Sequence, residues 1–103
     1  MRDNNRKRQR RGETKSFYDL PIEAQQKFIS IKNYINEHIG KSIDVYLYGS
    51  YYWGHWDELS NYDVIVKEDI NTIEISQLIL NELNIDNNII YSNEFNKTST
   101  LIP

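Results

Sequence analysis

The residues best suited to chemistry form two short runs, Gly49-Ser50 and Asn61-Tyr62-Asp63, with ten residues between them. A Gly-Ser turn at the start of a helix lets the backbone approach a phosphate, and its N–H groups suit an anion. The Ser50 hydroxyl can add a hydrogen bond to a terminal phosphate oxygen. Side chains alternate along a strand, so residues 61, 63 and 65 share one face and aim back at the turn. Two carboxylates at 61 and 63 would repel each other unless a hard divalent cation joined them to substrate phosphates. Asp63 supplies one of them. Asn61 supplies an amide oxygen, which can ligate a metal but brings no charge.

Several elements must hold these residues in place. Phe28, Ile31, Ile35 and Ile39 recur at helical spacing, which predicts a helix from Pro21 to Ile39. Asp19 or its neighbour is its expected cap, and Gly40 its left-handed stop. Ile43 to Tyr48 alternates with period two and reads as a strand. Residues 51–59 are too aromatic for a passive linker and are expected to begin as a short helix. A second strand is predicted over Tyr62 to Lys67. A second long helix follows, capped by Thr72 and carrying Ile75, Leu78, Ile79 and Leu83. A third strand is expected near Asn88 to Tyr91, and the state of residues 92–103 is left open. This order gives an α/β (α+β) domain, a small mixed sheet with helices packed on one face.

Composition narrows the classes. The 103 residues suit one domain with a modest core. No cysteine is present, which excludes disulfides and zinc-thiolate sites, and a reducing cytoplasmic setting is the default. No apolar run is long enough for a membrane span or a signal peptide. The net charge of −3 conceals an asymmetry. Residues 1–15 hold seven basic and two acidic groups, and residues 16–103 hold five basic and thirteen acidic ones. Residues 1–16 therefore read as a basic, disordered arm on an acidic domain of residues 17–103. Such an arm is either a contact for nucleic-acid phosphates or a solubilising tail.

The Gly-Ser pair, the ten-residue spacing and the Asn61-Tyr62-Asp63 strand resemble the signature of the nucleotidyltransferase superfamily. They are most similar to its minimal, stand-alone members, related to the DNA polymerase β palm. That pattern is hydrophobic-Gly-Ser, about ten residues, then Asp-hydrophobic-Asp; Gly54 and Ser60 also fall where minimal members carry Gly and Ser. The resemblance covers residues 43–91. It implies transfer of a nucleoside monophosphate from an NTP such as ATP to a protein or RNA hydroxyl, with Mg2+ bound and pyrophosphate released. It assigns Gly49 and Ser50 to the nucleotide, Asp63 and Asn61 to the metal, and Asp63, Asn61 and Asp86 to catalysis. The family's third carboxylate lies on the third strand, where Asp86 is the nearest acid, with Asn87 and Asn88 directly behind it; if Asn88 holds that position, two of three carboxylates are missing. It further implies a HEPN-type toxin as protein partner, in a toxin–antitoxin setting; a phage-associated or defence assembly is the setting expected for a non-catalytic member. The departure is Asn61, which stands where the family has its first Asp. It reads either as a near-isosteric inactivation or as the natural residue of a non-catalytic member.

A second function class is therefore a silent binding module that uses its aromatic loop and Arg-rich arm to hold a protein or nucleic acid. Trp53, Trp56, Tyr51 and Tyr52 serve either base stacking or the core, with one Trp expected inside. His55, Asp57-Glu58, Asp44 and Lys67 read as polar surface.

Overall fold

The computed structural model describes residues 11–93 and 98–103. Three helices, α1 (Ile22–Ile39), α2 (Ser50–Trp53) and α3 (Thr72–Leu83), alternate with β1 (Val45–Leu47), β2 (Tyr62–Val66) and β3 (Asn87–Tyr91). A two-residue β4 (Thr100–Leu101) follows. The four strands form one mixed sheet in the order β3-β2-β1-β4. β1 is antiparallel to both its neighbours, and β2 and β3 are parallel. The molecule is a small α+β protein. Among the described residues no helix is long and apolar enough to cross a membrane.

α1 forms because Ala24, Phe28, Ile31 and Ile35 line one stripe, and all four are buried. It ends at Gly40, whose φ of 78° lets its N–H bond the Asn36 carbonyl at 2.9 Å. Its start differs from expectation. Asp19 does not cap it; Asp19 and Ser16 instead close a capping box on a 3-10 turn over Phe17–Asp19, and α1 begins after Pro21 without a side-chain cap. α3 is capped by Asn71 rather than Thr72, because Asn71 Oδ1 accepts from the Glu74 N–H at 3.1 Å. α1 and α3 touch each other on one face of the sheet. Beneath them lie Val45, Leu47, Val64 and Val66, fully buried, with Ile75 and Ile79 from α3. Each such side chain stabilises the fold by roughly 1.5–3 kcal/mol.

The tail forms the fourth strand. β4 pairs Tyr46 with Leu101 and Leu47 with Thr100, and Ile102 beyond it is fully buried. Residues 11–16, expected in the disordered arm, also pack on the body. Thr14 is buried, its N–H donates to the Tyr52 carbonyl at 2.7 Å, and its hydroxyl donates to the Tyr51 carbonyl at 2.6 Å. Residues 1–10, the rest of that arm, lie outside the described residues.

Candidate functional site

β2 separates two environments, since Tyr62 points under the helices and Asp63 to the other, open face. Asp63 lies against the Gly-Ser turn. Gly49 adopts φ 75° and ψ −143°, and a Cβ built there would strike the Asp63 carboxylate oxygen and come within 3.2 Å of its Cγ. Only glycine fits that backbone beside that acid. The Tyr48 N–H donates to the Asp63 carbonyl at 3.0 Å and ties the turn to β2. α2 is a single turn in which the Tyr52 and Trp53 N–H groups both bond the Gly49 carbonyl.

The parallel pairing decides what stands beside Asp63. Asp63 is opposite Asn88, and Tyr62 is opposite Asn87. One residue before the strands, the Tyr62 N–H donates to the Asp86 carbonyl at 2.9 Å, so Asp86 is level with Asn61. Residues 61, 63, 86 and 88 thus share the open face as a checkerboard of two carboxylates and two amides. Burial, reinforced by the Asp86 charge, pushes the Asp63 carboxyl up to about 6. Asn88 Nδ2 donates to the Tyr48 hydroxyl at 3.1 Å. Burial and the Asp63 charge raise the Tyr48 phenol, with that hydrogen bond opposing them.

The donors here are hard oxygens on one face, with two negative charges among them, and this suits a magnesium-sized cation better than a soft metal. Among the described residues no group of three acidic, His or Cys side chains is assembled. Of the residues named from sequence, the fold brings together Gly49, Asp63 and Asp86, with Asn61 exposed at the rim and Ser50 opening α2. Sequence reasoning missed Tyr48. The signal was its position directly before Gly49, on the same strand face as Asp44 and Tyr46.

The aromatic loop goes elsewhere. Under the helices, Tyr51 stacks on Tyr62 (4.8 Å between centroids) and on Trp56 (5.4 Å), and Phe28 meets both tyrosines edge-on. The Arg11 guanidinium lies 3.7 Å over Trp56, and the Lys27 ammonium 5.6 Å from the Tyr62 ring. A cleft of about 440 Å³ adjoins this column, lined in part by Arg11, Glu23, Lys27 and Trp56. Trp56 is half-buried and Trp53 is exposed, so neither is a fully buried core residue. Asp57 is not a solvated charge: its carboxylate accepts from the Leu59 N–H and the Ser60 hydroxyl and shapes the loop into β2. His55 is half-buried in the same loop and Glu58 is exposed. Lys67 lies 5.4 Å from the Tyr46 ring on the open face.

No protein-family model, curated protein or solved structure matches the chain.

Proposed function

We propose that the chain is a small nucleotidyltransferase-like domain of the polymerase β palm type. It binds a nucleoside triphosphate such as ATP at the Gly49-Ser50 turn and moves the nucleoside monophosphate to a protein or RNA hydroxyl. The observation that carries this reading is the Asp63 carboxylate seated on Gly49 with a second carboxylate, Asp86, near enough to raise its proton affinity. A like-charged pair beside a glycine turn costs stability, and a bound cation and triphosphate are what would repay it. Asp63 and Asp86, with the Asn61 amide oxygen, would hold Mg2+, which when bound neutralises triphosphate charge.

The remaining roles belong to the chain itself. The glycine at 49 lets the Asp63 carboxylate lie against the turn, and the Ser50 hydroxyl beside it donates to a phosphate oxygen. Asp86 is exposed, so an acceptor hydroxyl has access to it and can give up its proton there. Pyrophosphate is the leaving group. Asn61 lowers the charge of the donor set, so turnover is slow. A HEPN-type protein in the cytoplasm or a phage-associated assembly, and nucleic acid at the basic arm, are the partners this reading carries.

A second reading is favoured by a specific observation: Asn88, not an acid, is the β3 residue opposite Asp63. With Asn61, two amides then stand where carboxylates are wanted, and the domain binds without catalysing.

Calorimetric titration with ATP and Mg2+, followed by transfer assays with labelled NTPs, separates the two. Magnesium-dependent ATP binding that Asp63→Asn abolishes, with labelling of an acceptor that increases in Asn61→Asp, supports the transferase. Binding without labelling in both forms selects the silent module. Absence of binding in both removes the nucleotide site altogether.

A further inference from the structure

Tyr48, Asp63 and Asn88 stand in one row across the sheet. The β1–β2 register pairs Leu47 with Val64, and the Tyr48 N–H continues that ladder by donating to the Asp63 carbonyl at 3.0 Å. The β2–β3 register places Asp63 opposite Asn88. Residues directly opposite one another point to the same face, so all three side chains rise on the face away from α1 and α3.

The outer two members of the row are joined to each other. Asn88 Nδ2 donates to the Tyr48 hydroxyl at 3.1 Å. Their strands are not neighbours, since β2 lies between β1 and β3. Two strand spacings separate those backbones by roughly 10 Å, so the bond closes only where the tyrosine side chain reaches across β2. What it crosses is the middle member of the row, Asp63. Asp63 is accordingly half-buried although it stands on the face away from the two long helices, with the Gly49 backbone against its carboxylate. Among the described residues no hydrogen bond to that carboxylate offsets the lost water.

We propose that Tyr48 and Asn88 form a clasp over Asp63, and that the clasp has to open before a cation or a phosphate reaches the carboxylate. Tyr48 is then the gate of the site and not one of its ligands. Opening breaks one hydrogen bond between neutral groups, one of them the exposed Asn88, and returns water to Asp63. Such a bond contributes little net stability, so the open form is accessible in the free chain. The affinity of any ligand at Asp63 is reduced by the fraction of chains that are open. The nucleotide reading names what passes the gate; the row of Tyr48, Asp63 and Asn88 holds without it.

Carbodiimide coupling of glycine ethyl ester to the carboxyl groups, located by peptide mass, tests the cover with no ligand present. The exposed Asp86 of the same chain is the internal standard. The Asp63 to Asp86 labelling ratio should rise about two- to tenfold in Tyr48→Phe, which loses the hydroxyl and keeps the ring. Asn88→Leu, which keeps the volume and loses the donor, should raise it by the same factor. The double variant should gain no more than either single one, because both remove the same bond. Nuclear Overhauser contacts in the unmodified chain give a readout that needs no variant to fold. The Asn88 side-chain amide should lie against the Tyr48 ring, and Mg2+ with ATP should abolish that contact. Equal ratios in the parent and Tyr48→Phe, additive single effects, or no such contact in the free chain overturns the clasp. A contact that persists with Mg2+ and ATP bound overturns the gate. If neither binds, the nucleotide reading fails, and the labelling ratios still decide the clasp.

Discussion

Tyr62 and Asp63 are neighbours in sequence and belong to opposite regions of the molecule. Tyr62 sits in a column of rings with a cation at each end, Arg11 over Trp56 and Lys27 over Tyr62 itself. Asp63 sits among groups that do not satisfy one another: a like-charged neighbour, two amides and a glycine backbone. The column is stable as it stands, because each ring face meets a ring or a cation. The polar face is costly as it stands, because a half-buried carboxylate beside a second one prefers to be neutral. A fold that tolerates cost in one place and removes it one residue away points to a ligand for the costly side.

Gly49 is where that contrast breaks most severely. Gly49→Ala places a Cβ against the Asp63 carboxylate and forces an L-residue into a glycine backbone region. Backbone strain of about 1–3 kcal/mol combines with the clash, so urea denaturation should show a loss of about 2–3 kcal/mol. Pairing it with Asp63→Ala separates the terms. The double variant should regain the steric part and retain the backbone part; a double variant no better than the single would mean that Asp63 does not crowd the turn.

Much of this contrast was legible in the residues. The apolar spacing of α1 and α3 and the period-two runs of β1 and β2 are local signals that burial then enforced. The glycine turn and the strand face of residues 61, 63 and 65 followed from the same rules. What stayed hidden depends on register and on long-range contacts. Whether Asp86 or Asn88 neighbours Asp63 is set by how β3 slides along β2, and a slip of one residue would have reversed the face. Thr100 and Leu101 lack a strand-length pattern; they pair because Ile102 needs the core. Arg11 sits in a run of basic residues, and nothing local marks it as the one that lies on Trp56. Asn71 won the α3 cap from Thr72 by one position, a competition between two good capping residues.

Asp63 gives the next largest effect, and its sign can be worked out. Its carboxyl is raised from 3.8 to about 6 in the folded chain. Below about pH 4 both states hold the proton and the group contributes nothing. Between about pH 4 and 6 the unfolded chain has released the proton while the folded chain still holds it, so stability falls across that window and levels off above it. Because the group is only partly buried, solvent screening reduces that cost to about 1 kcal/mol. Asp63→Asn should therefore raise the melting temperature at pH 7.5 by a few degrees and leave it unchanged at pH 4. Adding Mg2+ at pH 7.5 should stabilise the parent and not the variant. An equal gain at both pH values would assign the effect to packing and not to charge.

The smallest effect tests the opposite side. Arg11 lies over Trp56 and donates to the Gly54 carbonyl at 3.3 Å and the Trp56 carbonyl at 2.8 Å, so it ties the chain before α1 to the loop that leads into β2. Arg11→Ala should cost about 0.5–1 kcal/mol and change the emission of Trp56 at any pH from 4 to 8. Arg11→Lys keeps the charge but loses the planar fork, and should recover less than half of that cost. The melting response of Asp63 to pH and magnesium should be unaltered in both Arg11 variants, because the Trp56 and Tyr51 rings stand between Arg11 and Tyr62. If Arg11→Ala shifts the pH dependence assigned to Asp63, the two regions are coupled, and the cations of the column help set the charge of the site.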